Sequence, residues 1–82
     1  MQKHAFVVED DENIREVIQC ALESIGLWVS GFEDAVEMFR ALQEEQPDVI
    51  LLDLMLPRMD GLSALKKLKG DAAAARIPVL IL

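Results

Sequence analysis

Val49-Ile50-Leu51-Leu52 is apolar at every position, opens after Pro47-Asp48 and closes on a single carboxylate, Asp53. A run this short, with no alternation, reads as a strand buried on both faces. Such strands belong to parallel sheets covered by helices on each side. Pro57 and then Gly61 follow Asp53, so the strand gives way to a shaped loop. In open parallel sheets ligands bind beyond the carboxyl ends of the strands, which makes Asp53 the first candidate for chemistry.

Three more short apolar runs accompany this one. Residues 5–8 end in Glu9-Asp10-Asp11-Glu12; residues 27–32 carry Trp28 and are weakened by Gly31, which suits an edge strand; residues 77–82 form a fourth run. Between them the period changes. Ile14, Val17, Ile18, Ala21, Leu22 and Ile25 recur at helical spacing, with Arg15, Glu16, Gln19, Cys20 and Glu23 on the other face. Asp10 or Asp11 is placed to cap this helix, and Gly26 to end it. A second helix follows Asp34, with Ala35, Met38, Phe39 and Leu42 on its apolar stripe. A third follows Gly61, with Leu62, Leu65 and Leu68 inward and Lys66, Lys67 and Lys69 in solvent. His4 is expected to be exposed ahead of the first strand, and residues 72–75 to form a loop.

The pattern is βαβαβαβ, an α/β chain with a doubly wound parallel sheet. Its 82 residues leave room for one domain, 1–82. With strand order 2-1-3-4, right-handed crossovers put helix 1 on one face and helices 2 and 3 on the other. The order reverses between strands 1 and 3, so Glu9 and Asp10 meet Asp53 across the switch point.

A net charge of −7 argues against nucleic-acid binding by this segment, which needs a basic face. One cysteine, Cys20, rules out an internal disulfide. No apolar run approaches the ~20 residues of a membrane span, and the N-terminus carries no signal-peptide pattern. The expected setting is cytoplasmic.

Clustered carboxylates resist joint ionisation unless a cation is present. Mg²⁺ takes one or two carboxylates and leaves room for a phosphate. A carboxylate also acts as a nucleophile toward phosphorus, forming an aspartyl-phosphate. Asp53, alone on its strand, is the better nucleophile, and Glu9 with Asp10 the better metal pair. Taken singly, these residues are also ordinary turn and cap residues; only their convergence points to a site.

Several marks together resemble the first two-thirds of a bacterial response-regulator receiver domain, a flavodoxin-like fold. They are Phe6-Val7-Val8-Glu9-Asp10-Asp11, Val49-Ile50-Leu51-Leu52-Asp53, the spacing from Asp53 to Pro57 to Gly61, and Ile77-Pro78-Val79. The resemblance implies that Asp53 accepts a phosphoryl group from a sensor histidine kinase or phosphotransfer protein. It implies Mg²⁺ as cofactor, held by Asp10 and Asp53, by Glu9 directly or through water, and by the backbone carbonyl of Met55. It implies a signalling module rather than an enzyme with turnover.

The family pattern continues with a Ser or Thr after the fourth strand, then a fourth helix, a fifth strand ending in Lys, and a fifth helix. This chain reaches Leu82 without them. Strand 4 is apolar at every position and expects cover on both faces, so self-association through the uncovered sheet face or the strand 4 edge is expected. A second reading is a structural or interaction fragment without phosphotransfer. A third, a small phosphohydrolase, wants an acid two residues after the nucleophile, where Met55 stands.

Overall fold

Each helix starts where an aspartate can cap it. Asp11 Oδ1 accepts the Ile14 N–H at 3.0 Å, Asp34 Oδ1 the Glu37 N–H at 2.9 Å, and Asp60 Oδ1 the Ser63 N–H at 2.9 Å. Each bond satisfies a donor that the first helical turn leaves free. The structure, a computed structural model, describes residues 2–82. The elements are β1 (His4–Val8), α1 (Glu12–Ser24), β2 (Trp28–Phe32), α2 (Ala35–Leu42), β3 (Val49–Leu52), α3 (Gly61–Gly70) and β4 (Val79–Ile81). After α1 the chain turns at Gly26 with φ of +95°, a conformation that a side chain would strain.

All strand pairs are parallel and the order is β2-β1-β3-β4, the doubly wound, flavodoxin-like arrangement expected from the sequence. Alternation along β1 and β3 divides the core into two layers. Phe6, Val8, Ile50 and Leu52 face α2 and α3, packing with Ala35, Met38, Ala64 and Leu68. Ala5, Val7, Val29 and Leu51 face the other way, toward Ile18 and Leu22 of α1.

The two layers are unequal, and here several expectations need correcting. Of the six-residue apolar stripe expected on α1, only Ile18 and Leu22 reach the core. Val17 is 69% and Ile25 74% exposed, and Ile14 and Ala21 also face solvent. The reason is position: α1 packs on β1 and β2, so the far side of its stripe meets no sheet. On α3 the inward residues are Gly61, Ala64 and Leu68, while Leu62 is exposed. Leu65 also packs against the deep layer, so of the three leucines of the expected stripe only Leu62 misses the core.

His4 is buried within β1, not exposed ahead of it. Its Nε2 lies 2.8 Å from Ser30 Oγ and its ring stacks on Trp28 with centroids 4.4 Å apart. Lys67 is not simply solvated, since its Nζ lies 4.4 Å above the Phe39 ring. Within the 72–75 turn Ala74 is buried in the core.

β4 is an edge strand. Leu80, Ile81 and Leu82 are all exposed, as the sequence led us to expect for this run. Among the described residues no helix is long and apolar enough to cross a membrane.

The unequal layers predict unequal mutational costs. Phe6→Ala, in the deep layer, is expected to lower unfolding free energy by about 3–5 kcal/mol in urea titrations. Val17→Ser, on the uncovered stripe of α1, is expected to stay within about 0.5 kcal/mol of the parent.

Candidate functional site

In the β1–β3 register Val8 pairs with Leu52, so the next residues, Glu9 and Asp53, leave adjacent strands side by side. Side chains alternate along a strand, so paired positions share a face. Two backbone bonds hold the ends. The Asp53 N–H donates to Val8 O at 3.1 Å, and the Glu9 N–H donates to Phe32 O at 3.0 Å. Carboxylate oxygens of Glu9, Asp10 and Asp53 lie within 4.8 Å of one another. The three acids singled out in the sequence are thus brought together, with Glu9 buried, Asp53 half-buried and Asp10 exposed.

Burial and charge crowding act together on Glu9. Burial pushes its carboxyl above the ordinary value of 4.5, and the nearby Asp10 and Asp53 carboxyls push the same way. The Asp11 N–H, 3.2 Å from Glu9 Oε2, opposes them only in part. Three oxygen donors facing one another with an incomplete complement of hydrogen-bond donors fit a hard divalent cation. Carboxylate and carbonyl oxygens are the ligands such an ion prefers.

Beyond Asp53 the chain turns tightly. The Met55 N–H donates to Asp53 Oδ1 at 3.0 Å, fixing the orientation of that carboxylate. Met55 meets the site through its backbone, and its side chain is exposed. The Gly61 N–H donates to Leu54 O at 2.9 Å. A Cβ on Gly61 would overlap the Asp53 carbonyl oxygen and Leu54 Cα, so glycine permits the start of α3 to close against the strand end. Leu56 is buried in the deep layer and pins the loop from below.

Sequence reasoning missed one part of this neighbourhood. Arg58, in the 53–60 loop, holds φ at +66° and its guanidinium pairs with the buried carboxylate of Asp34. Burial pushes that carboxyl up, but the Glu37 N–H and the Arg58 guanidinium outweigh it and hold it below the usual range. Asp34 had been recognised only as a cap. A left-handed arginine leaves no trace in composition or periodicity, and its partner is remote in sequence.

A family model for the response regulator receiver domain matches residues 5–82. The chain belongs to the response regulator receiver family. Members of this family accept phosphoryl groups on an aspartate, and Mg²⁺ binding is typical of them. The chain is 43% identical over 83 residues to the DNA-binding transcriptional regulator NtrC of Proteus hauseri, covering 100% of this chain and 17% of that protein. It therefore spans about a sixth of that relative's length.

Among solved structures, the N-terminal domain of a response regulator receiver protein from Methanoculleus marisnigri JR1 superposes with a TM-score of 0.93 at 34% identity. The match covers 99% of this chain and 66% of that one. The receiver domain of the sensor histidine kinase PA1611 from Pseudomonas aeruginosa PAO1 was solved with magnesium coordinated in its active-site cleft. It gives a TM-score of 0.92 at 28% identity, over 99% of this chain and 66% of that one.

The raised Glu9 carboxyl gives a pH prediction for this receiver domain in the absence of divalent cations. The folded protein keeps the Glu9 proton to a higher pH than the unfolded chain, which loses it near 4.5. Between those values the native state binds more protons, so stability falls as pH rises through the window and stays lower above it. Glu9→Gln should therefore be close to the parent at pH 4 and more stable at pH 8, measured by urea unfolding in EDTA.

Proposed function

We propose that this chain is a phospho-accepting receiver module in which Asp53 is the acceptor and Glu9, Asp10 and Asp53 hold Mg²⁺. The observation that carries the reading is the meeting of three carboxylates from two adjacent strand ends within 4.8 Å. Family membership supports it, because the family accepts phosphoryl groups on an aspartate. The Met55 backbone carbonyl is proposed as a further ligand, on the strength of the turn that already binds the Met55 amide to Asp53.

The donor is proposed to be a phosphohistidine of a sensor histidine kinase or phosphotransfer protein, in a cytoplasmic setting. An oxygen of Asp53 attacks phosphorus, the phosphorus–nitrogen bond breaks, and the imidazole leaves with the electron pair and takes up a proton. Bound Mg²⁺ would neutralise charge on the transferring group and on the acids. The chain's own residues do the positioning. The Met55 amide orients one Asp53 oxygen, leaving the other for the nucleophilic role. Glu9, held by the Phe32 carbonyl through its own N–H, keeps its carboxylate facing Asp53. Asp53 acts once per phosphoryl group, so the module is a stoichiometric acceptor. A phosphohydrolase reading finds no acid at position 55.

Incubation with Mg²⁺ and acetyl phosphate is expected to give an acid-stable, base-labile adduct of one phosphoryl group, absent in Asp53→Asn. Adduct persisting in Asp53→Asn would overturn the assignment. Mg²⁺ titration is best followed by the backbone amide resonances of Asp53 and Met55. Trp28 pairs with His4 at the opposite end of the sheet and is poorly placed to report.

A second reading, an interaction fragment, is favoured by one observation: Leu80, Ile81 and Leu82 leave the β4 edge and both its faces open. We propose that the 82-residue chain, prepared alone, pairs with a second copy through this edge. Light scattering should then report a dimer or larger species, and Leu80→Lys should shift it toward monomer. A monomer across the accessible concentration range would refute self-association without touching the phosphorylation reading.

A further inference from the structure

The 53–60 loop links the proposed acceptor to α3, and its ends are well anchored. Asp53 is bonded to Val8 O, and Gly61 to Leu54 O. Between these points three side chains reach outside the loop: Leu56, buried in the deep layer, Met59, half-buried against it, and Arg58. Arg58 is the only non-glycine residue with positive φ among the described residues. That conformation is disfavoured for an arginine and persists only where surrounding contacts hold it.

Two contacts bracket it: the Met59 N–H donates to Pro57 O at 2.7 Å across Arg58, and the guanidinium pairs with Asp34. Asp34 is 3% exposed and is itself rigid, because its other oxygen caps α2 through the Glu37 N–H. Glu33 and Glu37 lie beside it, so Arg58 is drawn to a group of three acids rather than one. Arginine suits the task, because its planar guanidinium stays charged and directs its donors rigidly. The second acidic cluster of the molecule is thereby accounted for by an arginine rather than by a metal.

We propose that Arg58 is a positioning residue: its ion pair with Asp34 fastens the 53–60 loop to the start of α2 and thereby holds Asp53 and the Met55 backbone in place for the cation. This rests on the proposed metal site. It extends that site to a pair of residues on two loops, neither of which touches the phosphoryl group. The β2–α2 turn then contributes twice. Phe32 O fixes Glu9, and Asp34 fixes the loop that follows Asp53. One turn sets both sides of the acid site.

Five proteins test it: the parent, Arg58→Gly, Arg58→Lys, Asp34→Asn and the Arg58→Gly/Asp34→Asn double variant. Glycine at 58 tolerates positive φ while removing the ion pair, so it separates the latch from backbone strain. Asn at 34 retains a capping oxygen for α2. Two measurements are made on each: amide hydrogen exchange across residues 54–60 and across β1 and β3, and Mg²⁺ affinity from the Asp53 and Met55 amide shifts.

Arg58→Gly and Asp34→Asn are expected to speed exchange in the loop by about tenfold or more while strand amides keep their protection. Mg²⁺ affinity should fall roughly tenfold, as for other groups that orient metal ligands. Arg58→Lys should recover part of both effects, and the Arg58→Gly/Asp34→Asn double variant should be no worse than the worse single. Parent-like loop exchange together with parent-like Mg²⁺ affinity in Arg58→Gly would overturn the inference. Parent protein that binds no Mg²⁺ would instead defeat the site reading, and loop exchange would still decide whether the latch exists.

Discussion

The parallel register between β1 and β3 is the constraint on which the site depends. It pairs Val8 with Leu52 and so delivers Glu9 and Asp53 to the same face at the same height. A slip of one residue would turn one of the two carboxylates to the opposite face and dissolve the cluster. The register is protected by what lies beneath it. Phe6, Val8, Ile50 and Leu52 all face the deep layer and are fully buried, so a slip would expose this set while burying less. The same apolar residues that stabilise the fold therefore set the spacing of the acids.

That arrangement works against itself electrostatically. Three carboxylates within a few ångströms repel, and one of them, Glu9, is buried. The molecule tolerates this through backbone rather than countercharge. Amides of Asp11 and Met55 reach Glu9 and Asp53, and no ion pair of a lysine or arginine with these acids occurs among the described residues. Arg15, the nearest candidate in sequence, spends its guanidinium on the Glu9 carbonyl instead. Among the described residues the oxygen donors of the three acids are thus left to face an external cation. The available arginine, Arg58, is committed to Asp34, where a negative group that is not part of the cluster needs it.

Much of this was legible in the residues. Runs without alternation announce buried parallel strands, Asp11 and Asp34 ahead of periodic segments announce caps, and the 2-1-3-4 order brings Glu9, Asp10 and Asp53 together. What escaped has a common physical cause, namely dependence on neighbours that periodicity does not encode. The α1 stripe looked like a core face because Ile14, Val17 and Ile25 share its spacing, yet burial needs a sheet beneath, and α1 packs mainly over β2 and β1. His4 looked like an exposed polar residue because the stacking ring of Trp28 and the hydroxyl of Ser30 are distant in sequence. Arg58 gave no signal because an αL backbone and a long-range ion pair are both invisible to pattern.

The two layers of the core now bear differently on the site. Glu9 and Asp53 follow Val8 and Leu52, whose side chains lie on the α2/α3 side. The loops that shape the acid cluster are also tied to that side: Leu56 inserts there, Gly61 begins α3, and Asp34 begins α2. The thin side, with α1, contributes the Asp11 amide and the Arg15 contact but none of the deep packing. Local stability follows packing density, so the strand ends that carry Glu9 and Asp53 should be among the last parts to open and β4 among the first. Association or loosening at β4 can therefore proceed with the acid cluster intact, because the contacts that align Glu9 with Asp53 do not pass through that strand.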